Sequence, residues 1–296
     1  MSFENRMTRA SASLPLHLCT SPDLLVEQLR TLPPVPRIML RLQPMLANYN
    51  TDLRDLAAVI RLERALAARI LQVSNSAYMG LGSRARSIEE AINRLGFREV
   101  RRLVTIVIGM QIMERPLPVY GLDARELWRQ SIACAIASEL IAGTVGEDPA
   151  AAYALGLLHS VGMVVVNAWA VMVAPKERFV STGFPDDYTA AERALLGFTN
   201  ADTGASLLRM WDFPPAVVEP VRAQYQPVLA ASHPRLANLL MAARWLRSAA
   251  CEGKAPPVAP EARCLAALAL SPQNLSDFIP EVSRRLDEAN RLISAI

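Results

Sequence analysis

"AARILQVSNSAYMGLGSRARSIEEAINRLGFREVRRLV", residues 67–104, decides the fold of this chain. Its apolar residues recur every three or four positions on either side of a polar middle, the spacing of amphipathic helices and not of strands. Asn75, Ser76 and Gly80 read as the end of the first helix and a tight turn, because Asn and Gly tolerate the backbone that a helix end requires. Ser87 opens the next helix as N-cap, with Glu90 three residues on in capping-box spacing. Gly96 stops that helix, and "FREVRRLVTIVIGMQIMER" starts another. These residues fix the angles between helices; a binding role is the alternative reading.

The same spacing continues outward in both directions. Ser21-Pro22-Asp23 is a helix-start signal, "LPPVPR" (32–37) separates two helices, and Pro44 predicts a kink. Asn50, Thr51 or Asp52 caps the helix that follows, and Thr189 is the expected N-cap of "TAAERALLG". Trp128, Trp169, Trp211 and Trp245 each sit in an apolar helical pattern, as core anchors do. The helix 278–295 gathers Phe278, Ile279, Val282, Leu286, Ala289, Leu292 and Ile293 toward one face, for docking on the body or on a partner. No run alternates with period two. The expected class is all-α, a multi-helix bundle with a C-terminal helical extension.

Composition agrees. Of 296 residues, 52% are apolar and 20% charged, which describes a globular chain with a sizeable core. The net charge is +3, and the first 120 residues carry 16 basic against 10 acidic side chains. That excess is too mild for the concentrated stripe of a dedicated nucleic-acid binder. Cys19, Cys134, Cys251 and Cys264 are far apart with no CxxC pair, so they read as reduced packing residues of a cytoplasmic protein. Residues 150–174, "AAAYALGLLHSVGMVVVNAWAVMVA", lack formal charge and are long enough to cross a bilayer. They also hold His159, Ser160 and Asn167 and have no flanking basic cluster, so a buried helix, or two, is expected in place of a membrane span. No phosphate-cradling or nucleophile-elbow motif occurs. Adjacent helical residues point apart, so His159 and Ser160 are no nucleophile–base pair.

Several segments, kept in order and spacing, resemble the HDOD domain, a bacterial signalling and regulatory module related to the HD phosphohydrolases. They are "LPPVPRIMLRL", the 67–104 stretch, "LWRQSIACAIAS" (127–138), "AYALGLLHSVGMVVV" (152–166) and "NADTGASLLRMWDFPPAVVEPV" (200–221). The resemblance implies an HD-like helical domain over residues 21–230, after a loose arm (1–20). It leaves C-terminal helices over 231–296, with a proline-rich linker at 251–264.

The resemblance also locates the positions where catalytic relatives hold a divalent metal. Here they carry Gln130, His159, Ser160, Asn200, Gln224 and Tyr225, with Arg244 near the place of a late aspartate. One imidazole remains; the amides and the hydroxyl are weak ligands for zinc, iron or manganese. His17 and His233 are not placed to help. The expectation is therefore no metal, no cofactor and no catalysis, with His159 bonded to a backbone carbonyl or to Gln130. The implied role is regulation or scaffolding in bacterial signal transduction through protein partners, and a homo-oligomer is compatible with it. Two alternatives stand beside it: residual metal-dependent phosphohydrolase activity, and binding of a nucleotide, a cyclic dinucleotide or a nucleic acid. The second would use a basic face from Arg94, Arg98, Arg101 and Arg102, three of which lie at i, i+3 and i+4.

Overall fold

The computed structural model describes residues 21–28, 42, 45, 51–62, 64–75, 85–113, 115–181, 187–252 and 259–294. Among them the secondary structure is helical, with one isolated bridge between Leu117 and Leu122. Helices α1 (Pro22–Gln28), α2 (Leu53–Ile60), α3 (Arg64–Ser74) and α4 (Ile88–Met113) lead the chain. Asp52 caps α2 by accepting from the Arg54 amide. Asn75 does more than end α3: its side chain accepts from the Ala85 amide at 2.6 Å and donates to the Ala85 carbonyl, closing the loop between α3 and α4. Ser87 caps α4 through the Glu90 amide, while the Glu90 carboxylate reaches the Arg86 amide. Gly96 has φ 77° inside α4, a left-handed break at the expected stop. Ser76, Gly80, the arm 1–20, "LPPVPR", Pro44 and the middle of the proline-rich linker lie outside the described residues.

The body is built from α5 (Ala124–Val145), α6 (Pro149–Leu158), α7 (Val161–Val173), α8 (Thr189–Leu196), α9 (Asn200–Met210), α10 (Pro215–Arg222) and α11 (Pro234–Glu252). The uncharged stretch is two helices, broken at His159-Ser160, and 78% of its most apolar 18-residue window is buried inside the fold. Two glycines flank that break and let helices touch backbone to backbone. A Cβ at Gly156 would lie 2.6 Å from the Cys134 carbonyl on α5, and one at Gly162 would fall onto the Asn200 carbonyl on α9. These contacts bring α5, α6, α7 and α9 together around His159.

Helices α12 (Ala262–Ala267), α13 (Pro272–Ser276) and α14 (Ile279–Ser294) complete the chain. Val282 and Leu286 of α14 are buried against the body, in one apolar cluster with residues of α5 and α11. Core packing therefore runs on past residue 230, the boundary that the family likeness suggests. Two local expectations are corrected. Thr189 is the first residue of α8 and not its cap; a capping side chain must come from a residue before the first turn, and Asp187, two residues back, takes the Thr189 amide. Trp169, Trp211 and Trp245 are buried, but Trp128 is only partly so, because the polar start of α5 faces outward.

Candidate functional site

His159 is 3% exposed and sits at the C-terminus of α6. Its Nδ1 lies 2.7 Å from the Gly156 carbonyl. A carbonyl only accepts, so Nδ1 carries the proton and Nε2 keeps the lone pair. Arg247 of α11 places its Nη1 3.5 Å from that Nε2 and 3.4 Å from Gln130 Oε1. Of the two expected partners of His159, the backbone carbonyl is the one observed; Gln130 is reached through Arg247, and its own Nε2 donates to Glu126.

The remaining positions gather around the same point. Gln224 donates its side-chain N–H to the His159 carbonyl at 3.0 Å and accepts at its backbone from Arg244. The Arg244 guanidinium lies over the Tyr225 ring, 4.2 Å from its centroid. The Ser160 and Ser131 hydroxyls share a 3.0 Å hydrogen bond. Asn200 donates to Tyr225 Oη at 3.0 Å and to both oxygens of Glu192. The structure thus joins Gln130, His159, Gln224, Tyr225 and Asn200, through Arg247 and Arg244, into one largely buried polar network that links α5, α6, α9, α11 and the turn after α10, while Ser160, beside His159, pairs with Ser131 of α5.

Glu192 and Arg247 were not legible as parts of it. Glu192 is fully buried on α8 and accepts from Tyr120 Oη at 2.6 Å and from the Asn200 amide at 2.7 Å. Burial pushes its carboxyl above the usual range even though those donors favour the charged form. Tyr120 in turn packs edge-on against Phe179 and Tyr188. Within "TAAERALLG" nothing marks Glu192 as buried; its partner Tyr120 is 72 residues away. Arg247 carries the available signal of standing at i+3 from Arg244, on the same helix face.

These groups do not fit a divalent ion. The one imidazole lone pair faces a guanidinium, the amides of Gln224 and Asn200 turn N–H groups toward acceptors, and a second guanidinium lies on Tyr225. Among the described residues no three His, Cys, Asp or Glu side chains cluster as metal ligands do. Desolvation, then the positive charges of Arg247 and Arg244, hold the His159 pKa well below its ordinary 6.5. A group with a lowered folded pKa takes up a proton more readily in the unfolded chain, so the folded state loses stability as pH falls below 6.5. The expected slope is about 1.4 kcal/mol per pH unit. Glu192, with its raised pKa, works in the opposite direction. The slope is therefore read as the difference between wild type and His159→Gln in denaturant midpoints at pH 7.5 and below; identical pH profiles would contradict it.

The expected basic face is only partly available. Arg94 pairs with Glu90, and Arg102 lies over the Tyr153 ring at 4.8 Å and 3.7 Å from Glu99. The side chains of Arg98 and Arg101 lie outside what the structure describes.

Residues 32–227 match the family model of the HDOD domain. The chain belongs to the HDOD family. This HDOD chain is 25% identical over 202 residues to a protein of Treponema pallidum, a match that covers 67% of this chain and 38% of that protein. It spans well under half of that relative's length. Among solved structures, a Marinobacter aquaeolei VT8 protein named for signal transduction is 25% identical, with a TM-score of 0.66 over 88% of this chain and 59% of that one. A Shewanella amazonensis SB2B protein named as a phosphohydrolase shares the fold: 23% identity and a TM-score of 0.65 over 92% of this HDOD chain and 99% of its own.

Proposed function

We propose that this HDOD protein is a non-catalytic regulatory or scaffold component of bacterial signal transduction that acts through protein contacts. The arrangement at His159 carries the reading: its Nδ1 proton is committed to Gly156 and its Nε2 faces Arg247, so the surviving ligand of an HD site is held by the protein itself. The likeness to a protein named for signal transduction supports the regulatory part. In this reading the buried network serves as a rigid joint between helices, and the outer faces of those helices meet the partner. Neither alternative gains from the structure. A phosphohydrolase would need the ligands that are replaced, and two of the four arginines of the basic face are engaged within the fold.

The test is hydrolysis by the purified full chain supplied in turn with Mn²⁺, Fe²⁺ and Zn²⁺. The substrates are p-nitrophenyl phosphate, bis-p-nitrophenyl phosphate and a cyclic dinucleotide. The reading expects rates no higher than those of metal and buffer alone. Metal-stimulated turnover that disappears in His159→Ala would overturn it.

A further inference from the structure

Helix α14 lies on α5 and α11, and few of its residues hold it there. Among residues 279–290 only Val282 and Leu286 are buried, whereas α11 buries twelve of its nineteen residues. Phe278, Ile279 and Ala289 join the same apolar cluster from its edge, partly buried. The inward face therefore steps through 279, 282, 286 and 289, the spacing of a single narrow helix stripe. Arg285, next to that stripe, reaches Glu139 of α5 at 3.3 Å in an ion pair partly open to water. Within the helix, Glu281 pairs with both Arg284 and Arg285, and Arg284 pairs again with Glu288. Pairs at these spacings support a helix that has no neighbour. Helix α14 thus combines a narrow hold on the body with support of its own, as a helix that leaves and returns requires.

We propose that the seat of α14 on α5 and α11 is an exchangeable docking site, which takes an amphipathic helix of a partner protein when α14 lifts off. The chemistry of that helix is read from α14 itself. It carries aliphatic side chains at the places of Ile279, Val282 and Leu286, and an arginine or lysine just before the last of them to meet Glu139. Recognition is then of the helix-in-groove kind, in which a few anchors on one stripe supply the affinity. An acidic residue at the place of Arg285 would face Glu139 and be rejected. The position of the seat gives binding a consequence. It rests on the two helices that carry Gln130 and Arg247, and Arg129 of α5 donates to the Cys251 carbonyl at the end of α11. A partner seated there bears on the helices that hold the buried network. This names the partner class of the protein-contact reading and rests on it; helix exchange and hydrolysis are separate measurements, so the two fail separately.

The test is fluorescence anisotropy of a labelled peptide of residues 278–296 titrated with the purified full chain, as wild type and as Leu286→Asp. The substitution loosens the tethered helix, which in the wild type competes at high effective concentration. Leu286→Asp should therefore bind the peptide about tenfold or more tighter than the wild type does. Adding Glu139→Arg should weaken that binding about threefold, and a peptide carrying Arg285→Glu should recover the loss. Circular dichroism checks that the variants fold. Arg285→Glu in the full chain, which leaves the apolar stripe intact, replaces Leu286→Asp if the latter does not fold, with a smaller gain expected. The proposal is overturned if a folded, loosened variant binds no peptide at sub-millimolar concentration. Equal binding by wild type and variant overturns it too, because the peptide then sits elsewhere. Wild-type dimers that the peptide dissociates would put the helix of a second copy in the seat and overturn the partner.

Discussion

Gly162→Ala is expected to destabilise this protein by about 3 kcal/mol or more, a fall of roughly 5 °C in Tm for a chain of this size. A single added methyl has that effect because it meets backbone, not the flexible end of a side chain. The new Cβ would coincide with the Asn200 carbonyl and lie 2.6 Å from the Gly204 amide. Helices α7 and α9 can only separate, and their separation moves Asn200 away from Glu192 and Tyr225. Gly143→Ala in α5 is the control: the nearest atom to its added Cβ is 4.0 Å away, and removing a helical glycine should stabilise by about 0.5–1 kcal/mol. Thermal unfolding of both variants checks the pair. Equal melting points would mean that α7 and α9 are not in backbone contact.

Glu192→Ala should be of comparable severity, about 3 kcal/mol or more. It strips the acceptor from Tyr120 Oη, from the Asn200 amide and from Asn200 Nδ2, all buried, and each orphaned donor costs about 1–3 kcal/mol. Glu192→Gln keeps the volume and one acceptor but points an N–H at donors, so it should fall between Ala and wild type. Denaturant midpoints measure the order. An alanine variant as stable as wild type would mean that the carboxylate is solvated, and the buried network would lose its centre.

Much of this architecture is legible in the sequence, and the rest is hidden for a physical reason. Helix spacing, Ser87 with Glu90 and the stop at Gly96 are local signals, carried by residues within a few positions of one another, whereas the place where the uncharged stretch divides, at His159-Ser160, is seen in the structure alone. The six ligand positions, five of them altered and His159 retained, are readable through family likeness, and the structure connects Gln130, His159, Gln224, Tyr225 and Asn200 in one network. Glu192 looks like an ordinary surface charge of an amphipathic helix, since its burial is decided by Tyr120 and Asn200 in other elements. The likeness pointed to Arg244, while the guanidinium that meets His159 belongs to Arg247, one turn on. Arginine spacing likewise suggested a basic face, but Arg94 turns to Glu90 and Arg102 to Tyr153, a choice made by neighbours that periodicity does not name.

The account stands on a histidine whose free nitrogen meets a guanidinium in place of a metal ion. The direct measurement is elemental analysis of the full chain after dialysis against equimolar Mn²⁺, Fe²⁺ or Zn²⁺ and removal of loosely held ions. The account predicts metal far below one ion per chain, unchanged by His159→Gln. Stoichiometric metal that is lost with His159 would contradict it.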